Sequence, residues 1–259
     1  WSLMNNGAWD YPANTRGYTY LAAAELIQPG WALRFAEALV ATYANGPDID
    51  WHISKAHAET LEFEKKIHFG KYDGSIRLLG YANSSKAPSY RQVITDKMNG
   101  KDTSMDVVNG KSYGGVKYGW GLNIDQQLSH AVTGFARVGW NDGKTATWAF
   151  TEIDQTASAG IKVNGWQWKR PDDVIGLAGV LNGISKDHRD FLNAGGYGFM
   201  IGDGKLPHYG HEAILEFFYE SRIRKSLYLT ADYQFVNNPA YNRDRGPVHI
   251  FALRTHVEF

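Results

Sequence analysis

The chain has 259 residues, and its 27 Lys and Arg residues balance its 27 Asp and Glu residues. A balanced charge gives no long-range attraction to nucleic acid, so a nucleic-acid partner is not expected. The absence of Cys excludes disulfides and thiolate metal sites. The longest apolar runs are a few residues, far below the roughly 20 residues of a membrane-spanning helix.

The composition is rich in aromatic residues and glycine. Nine Trp, fifteen Tyr and twelve Phe make up 14% of the chain, and 28 Gly accompany them. Aromatic girdles and tight turns use these residues in membrane β-barrels. The low mean hydropathy of −0.41 is compatible with a membrane barrel, because every second residue of a barrel strand faces water.

Alternation of apolar and polar residues with a period of two predicts eleven antiparallel strands. Residues 1–16 lack such a period and are predicted to form a loop, and Tyr90–Met98, within a long polar stretch, is predicted to form one or two helical turns. The predicted strands are Gly17–Ile27, Trp31–Tyr43, His57–Phe69, Ser75–Ser85, Tyr113–Gln126, His130–Trp140, Thr147–Val163, Val174–Ser185, Tyr209–Ile223, Leu227–Val236 and Val248–Phe259.

The connections between these strands alternate in length. Connections at residues 44–56, 87–112, 186–208 and 237–247 are long, although residues 141–146 on the same side form a short one. Those at residues 28–30, 70–74, 127–129, 164–173 and 224–226 are mostly short. Short turns at one rim and long loops at the other are typical of outer-membrane barrels. A soluble β-sandwich, the alternative for an amphipathic strand set, has no reason to sort its loops in this way.

The last strand ends in an aromatic residue at the carboxyl terminus. Its mostly apolar face includes Phe251, Leu253, Val257 and Phe259, and its other face carries charge. Such a strand is similar to the assembly signal of bacterial outer-membrane barrels. This similarity predicts recognition by the barrel-assembly machinery.

Three long stretches resemble the carbohydrate-selective porins of the OprB family. They are WSLMNNGAWDYPANTRGYTY (Trp1–Tyr20), GDGKLPHYGHEAILEFFYE (Gly202–Glu220) and DYQFVNNPAYNRDRGPVHIFALRTHVEF (Asp232–Phe259). The resemblance implies an outer-membrane β-barrel in Gram-negative bacteria through which sugars diffuse passively, without cofactor, metal or energy coupling. Family members form barrels of about sixteen strands, so the chain resembles their C-terminal part.

One face of the predicted strands is charged. In a membrane barrel these side chains must point inward, because a Lys or Arg in the middle of the bilayer costs about 2–4 kcal/mol. A lining of mixed sign, interleaved with aromatic residues, suits sugar hydroxyls and sugar rings, whereas a lining of one sign favours ion selectivity. The candidate pore-lining residues are Arg34, Glu62, Glu64, Arg77, Lys117, Asp125, Arg137, Glu152, Asp154, Glu212, Glu216, Asp232 and Arg254.

The sequence contains none of the catalytic motifs that we considered. A His-Glu-x-x-His zinc motif and a Gly-x-Ser-x-Gly nucleophile motif are both absent, and no enzyme is expected. His208, His211 and Glu212 form a local metal-like grouping, but they lie where a loop enters a strand, and no metal is predicted. A sugar porin is the preferred function. The alternative is a barrel subunit or scaffold of an envelope or polysaccharide-export assembly, and a homo-oligomer is compatible with both.

Eleven is an odd number of strands, whereas single-chain bacterial barrels have an even number. With alternating directions the first and last strands run parallel, so antiparallel closure fails. We therefore expect residues 1–259 to be one transmembrane barrel domain that additional upstream strands complete, about five by the family resemblance. Residues 1–16 are then an external loop. The outer-membrane lipid surrounds this barrel.

Overall fold

A computed structural model describes residue 1, residues 7–201 and residues 205–259. Within these residues the chain forms a single antiparallel sheet of eleven strands in sequential order. The strands are β1 Leu21–Gln28, β2 Trp31–Ala38, β3 His57–Phe69, β4 Tyr72–Ser85, β5 Gly115–Gln127, β6 Val132–Asn141, β7 Gln155–Gly165, β8 Arg170–Gly183, β9 Glu212–Arg224, β10 Leu227–Asn237 and β11 Val248–Val257. The predicted all-β class and strand order are confirmed.

Two α-helices lie in the connections, and both are short. Tyr90–Met98 forms α1, as the sequence predicted, and Lys186–Asn193 forms α2, which the sequence analysis missed. The side chain of Ser185 caps α2 by accepting a hydrogen bond from the backbone N–H of His188. Neither helix approaches the length and apolarity that crossing a membrane requires, within the residues described.

The connections sort by length as predicted, except that the connection predicted to be short at residues 141–146 spans residues 142–154. The short ones span residues 29–30, 70–71, 128–131, 166–169 and 225–226, and the long ones span residues 39–56, 86–114, 142–154, 184–211 and 238–247. Because successive strands are antiparallel neighbours, all short connections lie at one rim of the sheet and all long ones at the other. We call the eleven strands the wall, and the long connections together with residues 7–20 the loop layer.

The predicted strand Thr147–Val163 is wrong in its first half. In the structure β7 begins at Gln155, and residues 142–154 belong to the loop layer. The backbone N–H groups of Trp148 and Ala149 donate to the carboxylate of Asp10 rather than to a neighbouring strand. The apparent period of two in residues 147–154 therefore reflects burial in the loop layer and not a strand.

The N-terminal segment packs against the loop layer and the long-loop end of the wall. The Thr151 hydroxyl donates to the carbonyl oxygen of Gly7 at 2.7 Å, and Asn14 Nδ2 donates to that of Pro47 at 3.0 Å. The Tyr81 hydroxyl of β4 donates to the carbonyl oxygen of Ala8 at 2.7 Å. Residues 7–16 of the predicted external loop thus lie at the rim with the long connections, whereas residues 2–6 lie outside the described residues.

The buried apolar core lies in the loop layer. One cluster gathers Tyr90, Met105, Val107, Ala146, Ile184, Phe191, Leu192, Ile201, Leu206 and Tyr241, and a second gathers Val40, Ala41, Ala44, Ala56, Ala58, Ala87 and Trp148. In the wall, large apolar side chains such as Leu78, Phe217 and Phe251 remain exposed. An exposed apolar surface of this extent is what a lipid-facing sheet presents.

The two outermost strands each pair with one neighbour in the part of the chain that is described. β1 pairs with β2, and β11 pairs with β10. Every residue of β1 and of β11 is exposed. Because nine strands lie between them and every neighbouring pair is antiparallel, β1 and β11 run in the same direction.

Candidate functional site

The strand register places the predicted pore-lining residues of the wall on one face, which we call the charged face. Arg34 lies opposite Glu62, and Arg77 lies opposite Glu64. Residues that lie opposite each other point to the same side of the sheet, so the register defines one continuous face from β1 to β11. The members on this face are Arg34, Glu62, Glu64, Arg77, Lys117, Asp125, Arg137, Glu212, Glu216, Asp232 and Arg254.

The opposite face, which we call the apolar face, carries the large apolar side chains of the strands. Leu61 pairs with Phe35, Leu122 pairs with Val138, and Phe217 pairs with Tyr233. Because side chains alternate along each strand, a single register fixes both faces at once.

Oppositely charged side chains form a continuous row across β2–β5. Arg34 Nη1 lies 2.9 Å from Glu62 Oε1 and 2.7 Å from Glu64 Oε2. Arg77 Nη1 donates to Asp125 Oδ2 at 2.6 Å, and Arg77 Nε lies 3.7 Å from Glu64 Oε2. Glu64 thus lies between two guanidinium groups.

The row extends to β1 and β6. Glu25 Oε1 lies 3.8 Å from Arg34 Nε, and Arg137 Nη2 lies 3.9 Å from Asp125 Oδ1. We call this row the ion-pair ladder; its members are Glu25, Arg34, Glu62, Glu64, Arg77, Asp125 and Arg137. Glu25 was not among the predicted pore-lining residues, and its pairing opposite Arg34 is the signal that identifies it.

The ladder side chains are partly exposed, with 31% of Arg34 and of Arg77 accessible. At such exposure each ion pair contributes about 0–1 kcal/mol to stability. The ladder therefore presents fixed donors and acceptors to whatever lies over the charged face. Alternating guanidinium donors and carboxylate acceptors match the paired hydroxyls of a sugar.

The charged residues of β9–β11 form a second group. Arg254 Nη2 lies 3.1 Å from Glu220 Oε2, which also accepts from the Thr230 hydroxyl at 3.2 Å. Glu216 is fully buried. The carboxylate of Glu212 accepts from Asn182 Nδ2 at 3.2 Å and from the backbone N–H of Ala240 at 2.9 Å. Glu212 therefore links the wall to the connection before β11.

The structure corrects the placement of Glu152 and Asp154, which were predicted on a strand. Both are buried in the loop layer. Lys117 lies on the charged face, but its Nζ is covered by the loop layer, where it donates to the carbonyl oxygen of Thr145 at 2.9 Å and lies 3.4 Å from Asp154 Oδ1. These three side chains hold the loop layer together.

Asp154 is the centre of this buried cluster. Its Oδ2 accepts from the backbone N–H of Ser185 at 2.9 Å and lies 3.0 Å from His188 Nδ1. Burial alone would raise the pKa of Asp154, but the positive charges of Lys117 and His188 and these hydrogen bonds hold that pKa well below its usual range. Burial raises the pKa of Glu152, against the opposing field of His188 and two backbone N–H groups.

The described residues contain no cluster of three or more His, Cys, Asp or Glu side chains that could hold a metal ion. His208, one member of the metal-like grouping that the sequence analysis set aside, pairs through Nδ1 with Asp244 at 2.9 Å. His208 therefore has a local hydrogen-bond partner.

The comparison with solved structures finds outer-membrane porins. The high-pH structure of Pseudomonas putida OprB matches with a TM-score of 0.71 at 18% identity, over 93% of this chain and 59% of that chain. The low-pH structure of the same protein matches with a TM-score of 0.54 at 14% identity, over 92% and 55%. A crystal structure of Pseudomonas aeruginosa OprD matches with a TM-score of 0.53 at 10% identity, over 91% and 59%.

These matches confirm the fold, and the chain spans between 55% and 59% of the length of the three porins. No curated protein matches the chain. The predicted sheet of an outer-membrane porin and the location in the Gram-negative outer membrane are both confirmed. The family model for the carbohydrate-selective porins, OprB family, matches residues 2–259, and the chain therefore belongs to that family.

Proposed function

We propose that the chain forms part of the wall of a water-filled outer-membrane pore through which sugars diffuse passively. The observation that supports this best is the ion-pair ladder on one face of the wall, opposite a face of exposed apolar side chains. A wall with these two faces separates lipid from water. The proposal contains no chemical step, so the chain acts as a channel and not as an enzyme.

The mixed sign of the ladder favours a neutral, hydroxylated solute. Four carboxylates (Glu25, Glu62, Glu64, Asp125) alternate with three guanidinium groups (Arg34, Arg77, Arg137), so neither anions nor cations meet a field of a single sign. A ring of one charge is the usual basis of ion selectivity. The effects of sugars and of phosphate on the current through the pore therefore distinguish a sugar channel from an anion channel.

Cysteine scanning tests which face meets water. Single cysteines at Glu62, Arg137 and Arg254 are expected to react with a membrane-impermeant thiol reagent in intact membranes. Cysteines at Leu61, Val138 and Leu253, which lie on the apolar face, are expected to stay unlabelled because lipid covers them. Residues 1–259 contain no other Cys, so within them each signal comes from the introduced cysteine. Equal labelling of both sets would contradict a membrane wall.

Reconstituted conductance tests the solute. Simple sugars at millimolar concentration are expected to reduce the ion current of the complete pore, and phosphate is not. A current that phosphate reduces and sugars leave unchanged would show that the sugar assignment is wrong. A protein that inserts and carries no current would favour the scaffold alternative.

Arg137→Ala is expected to weaken the block by sugar by about 0.5–1.5 kcal/mol, the net contribution of one hydrogen bond. Arg254→Ala tests the second charged group in the same way. Arg91→Ala is a matched control, because Arg91 pairs with Asp187 and Asp190 in the helices of the loop layer and not on the wall. If Arg137→Ala, Arg254→Ala and Arg91→Ala all leave the block unchanged, the charged face is not where the sugar binds.

We infer that further strands cover both edges of the described sheet. β1 and β11 run parallel and each has one neighbour, which leaves backbone N–H and C=O groups without sheet partners at membrane depth. Pairs of cysteines in β1 and β11 are therefore expected not to form disulfides in the folded pore. Efficient cross-linking between these strands would show that the eleven strands close on themselves.

We also propose that the last strand, with Phe251, Leu253, Val257 and Phe259, is recognised by the barrel-assembly machinery. Every residue of β11 is exposed, and Phe259, two residues beyond the end of β11, has an exposed side chain. Phe259→Ala is expected to slow insertion in cells while leaving spontaneous folding in detergent unchanged. Equal slowing in both settings would point to a folding defect instead.

A further inference from the structure

A pocket on the charged face lies beyond the end of the ion-pair ladder. It occupies about 390 Å³ between β7 and β11 and is lined in part by Trp1, Lys162, Phe218, Glu220, Asp232 and Arg254. The volume is within the range of small-molecule sites. Lys162, Glu220 and Trp1 were not among the predicted pore-lining residues.

An aromatic row joins the ladder to this pocket. The guanidinium carbon of Arg137 lies 4.3 Å from the ring centre of Phe135, whose ring lies 5.5 Å from that of Trp1. The rings of Trp1 and Phe218 are 4.8 Å apart and nearly perpendicular, at 82°. Residue 1 is thus held on the charged face by two aromatic side chains of the wall.

Glycine residues of the wall make room for this row. A Cβ at Gly160 would lie 2.6 Å from a ring carbon of Phe135, and a Cβ at Gly176 would lie 2.1 Å from a ring carbon of Phe218. Any side chain at these positions would push the rings away from the wall. The aromatic row therefore depends on both glycines.

The polar groups of the pocket are incompletely paired. Asp232 Oδ1 is shielded from solvent and has no hydrogen-bond partner. The side chain of Lys162 is exposed and has no ion pair or hydrogen bond within the described ranges. The Arg254 side chain is 66% exposed, although it pairs with Glu220. Because an unpaired buried acceptor is unfavourable, a ligand hydroxyl that donates to Asp232 would be favoured.

We propose that this pocket is a second sugar-binding site, which takes one neutral pyranose ring. The ring stacks on Trp1, a hydroxyl donates to Asp232, and Lys162 and Arg254 donate to the remaining oxygens. The two cationic and two anionic side chains balance, which fits an uncharged sugar. This inference rests on the proposed sugar-porin function, and it places a sugar-binding site next to the ladder.

Glucose binding to the purified full chain in detergent, followed by calorimetry and by tryptophan fluorescence, tests the site. Trp1→Ala and Asp232→Asn are expected to weaken binding at one site about tenfold, the effect of losing one strong contact. Trp1→Phe keeps an aromatic platform, so it should retain affinity while losing the glucose-dependent fluorescence change. Trp51→Phe, at an exposed tryptophan of the loop layer, is the matched control and should change neither.

The results of these measurements show whether the pocket proposal fails alone or together with the proposed porin function. If Trp1→Ala and Asp232→Asn bind glucose as the wild type does while Arg77→Ala weakens binding, the pocket is not a site and the porin proposal stands. If the wild type binds no glucose and its current is insensitive to sugars, both fail. Inorganic phosphate that displaces glucose would identify an anion site and overturn the proposal. Should Trp1→Ala fail to fold, the nearly isosteric Asp232→Asn decides the question.

Discussion

The wall and the loop layer bury apolar surface in different ways. In the wall, Leu78 is 52% exposed on the apolar face, whereas in the loop layer Phe191 has no exposed surface and packs against Tyr90 and other loop residues. In the proposed pore, the bilayer is the apolar partner of the wall. The loop layer carries its own core, like a small water-soluble domain at one rim of the sheet.

The two regions also use charge differently. Charges of the ladder are partly exposed and lie next to solvent, so they add little to stability but remain able to bind a solute. Asp154 and His188 in the loop layer are completely buried, and their pairing matters for stability because an unpaired buried charge is costly. We propose that the same residue types serve solute binding in the ladder, whereas in the loop layer they stabilise the structure.

The largest effect is expected from Asp154→Ala, which should lower the free energy of unfolding by about 3–5 kcal/mol. The substitution leaves Lys117 without its buried carboxylate partner. Urea unfolding of the protein in detergent measures the change. Asp244→Ala is the matched control, because Asp244 pairs with a histidine at an exposed site and should cost under about 1 kcal/mol. Equal effects of the two variants would show that the buried cluster does not organise the loop layer.

Leu78→Arg is expected to destabilise the wall by about 2–4 kcal/mol in lipid vesicles, because it places a charge against the bilayer core. Leu79→Arg is the matched control. Leu79 is the next residue of the same strand and lies on the charged face opposite Glu62, so its replacement should cost much less. Folding titrations in vesicles measure both. A larger cost for Leu79→Arg would reverse the assignment of the two faces.

Asp10→Asn is expected to remove a pH-dependent change of up to about 3 kcal/mol in the free energy of unfolding. Burial raises the pKa of Asp10 to about 6, despite Lys117 and two backbone N–H groups. The folded state therefore binds a proton more tightly than the unfolded state, and stability falls as pH rises from about 4 to 6. The Asp10→Asn variant should lack this decrease in stability and should be more stable than the wild type at pH 7.

Asp50→Asn is a control for which the opposite dependence of stability on pH is expected. Burial acts to raise the pKa of Asp50, but hydrogen bonds from His52 and Tyr113 hold that pKa below its usual value. Its carboxylate stabilises the fold above the unfolded pKa, and this contribution is lost on acidification. Asp50→Asn should therefore be less stable near pH 7, with the difference shrinking at low pH. Parallel pH profiles for Asp10→Asn and Asp50→Asn would contradict both assignments.

Most of the wall is predictable from the sequence alone. Alternation in stretches such as Leu61 to Ile67 identifies which side chains share a face, because neighbouring side chains of a strand always point to opposite sides. The order of the strands and the two classes of connection follow from the same local pattern. The helical turn at Tyr90–Met98 is also a local feature, and it was predicted with the observed bounds.

Only the tertiary structure decided the loop layer and the pocket. Asp154 pairs with His188 across 34 residues of sequence, and Trp1 reaches Phe218 from the other end of the chain. Contacts of this kind have no period, so the residues around Asp154 alternated well enough to be mistaken for a strand. Glu25 and Lys162 likewise acquire a place on the charged face only through the register of their neighbours. Period-two patterns are set by local backbone geometry, whereas the partners of a loop side chain are set by distant segments.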